Sequence, residues 1–247
     1  MGFSSLGQEA QSITAALRDL YKSMDLGKNV PPLVLLNVLH NAFPRFAEKS
    51  EHGGGYQQQD ANECWIELLG MLKQKLPSKD NERVTSAVDQ YFGLDFETET
   101  KCVESDDEPA VKGKEHFLQY NCYIDKDVKF LFSGLKNVRR NARDSTDPYS
   151  RLFPSQRLQE SMAKNSETLG REAQYTKSLR VCRLPGYLTV QMVRFQFKAK
   201  DAVNAKILKD IKFPMMLDTF ELCSKDLQEK LVPMRKKFKV IIFHDQF

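Results

Sequence analysis

The sequence predicts an α+β protein, helical in its first third and strand-rich after it. Three observations carry that prediction. Apolar residues recur at spacings of three and four as far as Leu76; strict alternation sets in from Phe92 to Cys102; and a nearly continuous apolar run, GYLTVQMVRFQF, covers residues 186–197. The first pattern is that of amphipathic helices, the second that of a half-buried strand, the third that of a strand covered on both faces. With 247 residues, 41% of them hydrophobic, the chain is long enough to bury a sizeable core and too apolar to be disordered throughout.

Ile13, Leu17, Leu20, Tyr21 and Met24 mark the first helix, with Ser12 as its cap and Leu26-Gly27 as its end. Pro31-Pro32 opens a second helix, because proline suits a first turn, and Pro44 stops it; Leu36, Leu39 and Phe43 form its inner face. A third helix follows Gly53-Gly54-Gly55. Asp60 is its N-cap, Glu63 completes a capping box, and Trp65, Ile66, Leu68, Leu69, Leu72 and Leu76 form its apolar face. Phe92, Leu94, Phe96, Thr98, Thr100 and Cys102 then face one side of a strand, ahead of an acidic turn at residues 104–108. Further strands are expected at residues 117–124 and 128–132, a helical piece near 158–169, a return strand at 205–213, and a helix from 225 that ends at Pro233.

Composition excludes several function classes. No apolar run is long enough to span a bilayer, and MGFSSLGQEAQ lacks the charged start and apolar core of a signal peptide. The five cysteines, Cys64, Cys102, Cys122, Cys182 and Cys223, are scattered and odd in number, which suits reduced thiols in the cytoplasm or nucleus. No C-x-x-C pair exists, so a structural zinc site is not expected, and with no phosphate loop or metal box in the sequence no metal or other cofactor is expected. The net charge of +4 is mild. The basic groups at Arg139, Arg140 and Arg143 and at residues 225–239 lack interleaved aromatics, so they read as solvated surface and not as a nucleic-acid site.

The run QQQDANECWIELL, residues 57–69, resembles the Gln-Gln-Asp box of the ubiquitin-specific proteases, papain-like cysteine proteases that remove ubiquitin. It is most similar to the proteasome-associated branch of that family. LPGYLTVQMVRF with KFPMMLD at residues 212–218 resembles the family's palm strands. The resemblance implies an incomplete ubiquitin-specific protease fold, one partial domain over residues 1–247. Its parts would be a helical thumb at 1–80, finger strands at 90–135, a loop and helix insertion at 136–180 and the start of the palm at 181–247. Ubiquitin, ubiquitin conjugates and the 26S proteasome are the partners it implies; nucleic acid and membrane are not. It also implies that Gln59, Asp60 and Glu63 lie beside the channel for ubiquitin's arginine-bearing tail, where carboxylates suit a guanidinium.

Isopeptide cleavage needs a thiolate, a histidine to activate it and a group to orient that histidine. The family's Gly-Asn-Thr-Cys-Tyr and Gly-His-Tyr boxes have no counterpart in these residues. The chain is therefore expected to start after the first box and to end before the second, with no catalytic residue of its own. A non-catalytic ubiquitin- or proteasome-binding pseudoenzyme is the alternative. Cys64 is the one substitute nucleophile with a rationale, since a first helical turn lowers a thiol's pKa; beside Trp65 and Ile66 it reads as a small buried hydrophobe. His40 reads as a packed side chain, His52 lies in the glycine loop, and His244 sits in VIIFHDQF, which does not resemble the family.

Overall fold

The computed structural model describes the chain apart from residues 1, 2, 51, 52, 80, 81, 83, 126, 137–158, 199–202 and 245–247. The basic group at 139–143 and His52 thus lie outside the described residues. Two compact units form, Met1–Phe92 and Gly93–Phe247.

The first unit is helical: α1 Phe3–Asp25, α2 Leu33–Ala42, a 3-10 turn Pro44–Ala47, α3 Ala61–Lys75 and α4 Ala87–Phe92. Helix α1 starts well before Ser12, which is therefore an interior residue and not a cap. It ends as expected at Gly27, whose φ of 71° favours glycine. Gly27 N donates to Met24 O at 2.8 Å and Lys28 N to Ser23 O at 3.1 Å, a Schellman closure. Ile13, Phe43, Phe46 and Met71 form the core, with Leu17, Leu39, Cys64 and Leu68 packed on it. Leu36, expected inside, is 41% exposed, and Leu76 ends α3 at 36% exposed. The alternative inner position of α2 is Val38, which packs on the core. At α4, Asp89 is buried and its carboxylate takes Lys73 Nζ at 2.9 Å, so the charge is not left unpaired.

The second unit is built on an antiparallel sheet of order β2-β1-β5-β4, from β1 Leu94–Cys102, β2 Val111–Phe117, β4 Gln159–Ser166 and β5 Arg171–Arg183. Strand β3 Tyr120–Tyr123 pairs in parallel with β6 Val190–Val193, and β7 Phe195–Lys198 pairs with β8 Val203–Lys206. Helices α5 Leu131–Leu135 and α6 Lys225–His244 complete it. The alternation read from β1 holds: Leu94, Phe96 and Cys102 are buried while Glu97, Glu99 and Lys101 are exposed. Phe96 lies edge-on to Tyr120 at 5.3 Å and to Phe117 at 5.6 Å between ring centroids. Leu94, Phe96, Tyr120, Leu179 and Val181 anchor the main core. Each such side chain contributes about 1.5–3 kcal/mol by leaving water.

The structure departs from the sequence pattern at several elements. Phe92 ends α4 rather than beginning β1. The strand expected at 117–124 is two strands in different sheets, since β2 ends at Phe117 and β3 starts at Tyr120. Residues 128–132 form no strand: Phe130 makes one bridge to Lys212, and Leu131 then starts α5, whose Leu135 the core buries. The helical piece expected near 158–169 is β4, with Leu158 outside the described residues; its polar residues satisfy their backbone along β5 instead of in a helix. The 186–197 run breaks at Arg194 into β6 and β7, and the return strand β8 ends at Lys206, with Lys212 making only a bridge. Helix α6 runs through Pro233 to His244. A proline removes one helical hydrogen bond, and here that loss does not end the helix.

Candidate functional site

The start of α3 is presented by a short hairpin. Lys49 bridges to Tyr56, Ser50 N donates to Gly55 O at 3.0 Å and Gln57 N to Glu48 O at 2.8 Å. His40 packs edge-on against Tyr56 at 4.5 Å, and Lys49 Nζ lies 3.9 Å from the centre of the same ring. His40 is therefore a packing residue, as its place beside an apolar helix face suggests. The hairpin delivers Gln59, half-buried, and Asp60, exposed, to the helix N-terminus.

Asp60 caps α3. Its backbone is extended, with φ −74° and ψ 118°, and its Oδ1 accepts from Asn62 N at 2.7 Å. The capping box is not formed as expected. Glu63 turns instead to Arg45, whose Nε lies 2.9 Å from the carboxylate, while Arg45 Nη2 reaches Glu67 at 2.6 Å. Glu63 and Glu67 are one helical turn apart, so a single guanidinium can span both. Phe43 and Phe46 lie under Arg45, their centroids 5.5 and 5.0 Å from its guanidinium carbon. Sequence reasoning missed Arg45 and Glu67. The i, i+4 spacing of Glu63 and Glu67 was the available signal; the partner, on the turn before the hairpin, was not.

Farther into the turn, Asn62 Nδ2 and Trp65 Nε1 are buried without a hydrogen-bond partner. Cys64 packs on the core of the first unit. Burial pushes its thiol pKa up, and Glu63 and Glu67 add to the rise. Both effects favour the neutral thiol, opposite to what a reactive thiolate needs.

The second unit holds a histidine–carboxylate pair, His116 Nδ1 to Asp95 Oδ1 at 2.6 Å, with Arg183 Nε on Asp95 Oδ2 at 2.6 Å. Such a couple can orient a general base. Cys182, on the adjoining strand, has its thiol raised by burial, then by Asp95 and Glu97, with Lys114 opposing. Cys122 and Cys223 are both raised to about 11 by burial. An apolar depression of about 420 Å³ between Leu131, Leu184, Leu188, Val190 and Leu217 has no titratable side chain in its lining. Among the described residues, no group of three or more His, Cys, Asp or Glu is placed to hold a metal ion, and no helix is long and apolar enough to cross a membrane.

The sequence matches the ubiquitin carboxyl-terminal hydrolase family over residues 3–236. The chain belongs to that family. It is a ubiquitin-specific protease chain with the α+β fold that its motifs imply. It is 34% identical over 236 residues to ubiquitin carboxyl-terminal hydrolase 6 of Schizosaccharomyces pombe, covering 95% of this chain and 45% of that protein. It is 35% identical over 237 residues to hydrolase 7 of Arabidopsis thaliana, covering 95% and 44%. Against hydrolase 14 of Caenorhabditis elegans it is 34% identical over 226 residues, covering 91% and 40%. The chain thus spans less than half the length of these relatives. Among solved structures, it is similar to the SAGA Ubp8/Sgf11/Sus1/Sgf73 DUB module bound to ubiquitin aldehyde, with a TM-score of 0.54 and 22% identity over 78% of this chain and 37% of that one. That likeness extends to the fold.

Proposed function

We propose that this chain is the ubiquitin-contacting part of a cysteine deubiquitinase that hydrolyses conjugates at the ubiquitin C-terminus, and that the chain itself cleaves nothing. The observation that carries the reading is the family match across residues 3–236. Gln59, Asp60 and Glu63 are its proposed ubiquitin-binding residues, at an exposed helix start where carboxylates can receive a guanidinium. The inactivity rests on chemistry: neither the cysteine box nor the histidine box occurs in the 247 residues, and burial raises the thiols of Cys64, Cys122, Cys182 and Cys223. Five free cysteines support a reducing compartment, cytoplasm or nucleus. Association with the 26S proteasome rests on the similarity of residues 57–69 to the proteasome-associated branch, and co-sedimentation with purified proteasomes tests it.

The experiment is incubation with ubiquitin bearing a thiol-reactive C-terminal warhead, read by intact mass, beside a titration with unmodified ubiquitin. Saturable binding without an adduct is expected. An adduct lost in Cys64→Ala would make the chain an enzyme in its own right, and no binding at all would remove the ubiquitin reading.

A further inference from the structure

Arg45 is a guanidinium already seated where the proposed function seats one from ubiquitin. It spans Glu63 and Glu67, at 2.9 and 2.6 Å, on the exposed side of α3. The rings of Phe43 and Phe46 hold its plane from below. Without it, two carboxylates one turn apart would repel.

We propose that Arg45 is an internal competitor for Glu63: the resting site is filled by the chain's own guanidinium, and ubiquitin's arginine-bearing tail engages Glu63 by displacing Arg45 onto Glu67. The inference rests on the Glu63 contact proposed above. Three features favour exchange over a locked pair. The side chains of Arg45, Glu63 and Glu67 are 42%, 40% and 36% exposed, so water screens each bond. Arg45 keeps Glu67 and both rings when it leaves Glu63. No carboxylate is left bare at the end, because two guanidinium groups then face two carboxylates. The arrangement lowers affinity for every tail and favours tails that carry a guanidinium, because a neutral side chain cannot take Arg45's place on Glu63.

Calorimetric titration of this chain with ubiquitin tests the inference, using Arg45→Gln, Glu67→Gln, Glu63→Gln and the Arg45→Gln/Glu63→Gln pair. Arg45→Gln is expected to tighten binding roughly two- to fivefold, the range of an exposed ion pair. Glu67→Gln is expected to weaken it, since Arg45 then has Glu63 as its one carboxylate. Glu63→Gln weakens binding and removes the gain from Arg45→Gln. If Glu63→Gln weakens binding while Arg45→Gln does not tighten it, Arg45 is no competitor and the Glu63 site stands. If Glu63→Gln has no effect, the site itself fails and this inference with it. Should Arg45→Gln not fold, Glu67→Gln decides, and unchanged or tighter binding there overturns the proposal.

Discussion

Arg183 and Asp95 face each other across the β1–β5 pair, with Arg183 Nε 2.6 Å from one carboxylate oxygen and His116 Nδ1 2.6 Å from the other. Burial alone would raise the Asp95 carboxyl; the hydrogen bonds from Arg183 and His116 outweigh it and hold the pKa below the ordinary value of 3.8. The unfolded chain therefore takes up this proton before the folded one. The stabilisation is complete above the ordinary value and is lost as pH falls through it towards the lowered one. In Asp95→Asn, stability should fall less steeply as pH drops from about 5 to below the ordinary carboxylate value. Urea melts across that range check it, and an unchanged slope would remove Asp95 from the acid response.

The cap on α3 separates two roles of Asp60. Its Oδ1 accepts from Asn62 N at 2.7 Å. Asp60→Ala should cost about 1 kcal/mol, and Asp60→Asn much less, because asparagine caps almost as well. Chemical denaturation gives the stability and a ubiquitin titration the affinity. A loss of affinity in the well-capped Asp60→Asn assigns the carboxylate charge to binding; unchanged affinity leaves only the cap.

Trp65 has a ring with a partner and an N–H without one. The ring meets Phe92 edge-on at 5.8 Å, and Nε1 is buried without an acceptor. Trp65→Phe keeps the ring contact and removes the orphan donor. Its stability is expected to match the parent or exceed it by up to about 1 kcal/mol. Trp65→Ala should lose about 2 kcal/mol, the lower end of aromatic deletions since the ring is only half-buried. A clear loss in Trp65→Phe would mean that the N–H has a partner in solution.

Gly134 is fixed by space. A Cβ there would lie 2.4 Å from Cys122 Sγ and 3.3 Å from Val128 Cγ1, and Cys122 is fully buried. Gly134→Ala should destabilise by about 1–3 kcal/mol. Adding Cys122→Ala should recover part of the loss, because it removes the sulfur that the new methyl meets. A double-mutant cycle with no coupling would refute the clash.

Where one local rule decides the outcome, the sequence was a sufficient guide. Asp60 caps α3, Gly27 ends α1, and Leu94, Phe96 and Cys102 alternate into the core, because cap chemistry, φ and strand period act over a few residues. Where distant partners decide, it was not. Polar β4 is a strand because β5 stands beside it, and residues 131–135 are helical because Leu135 fits the core. Glu63 left its capping box for Arg45, and Arg45 is 22 residues from Glu67 in the chain, beyond any periodicity argument. Arg194 splits the long apolar run because its side chain bonds the carbonyls of Ile207 and Lys209.

The β1–β5 pairing also sets a time scale. Asp95 and Arg183 are 88 residues apart, and the β1–β2 hairpin is the only local neighbour β1 has in its sheet. Helices and hairpins form within microseconds, whereas a pairing of such separation waits for a long stretch of chain to close. Once closed, the sheet is insensitive to that length: each doubling of the connecting chain costs only about 0.6 kcal/mol. The separation of β1 from β5 therefore acts on how quickly the second unit assembles far more than on how firmly it holds, and a slow closure is the interval in which an unpaired β1 edge is exposed to aggregation.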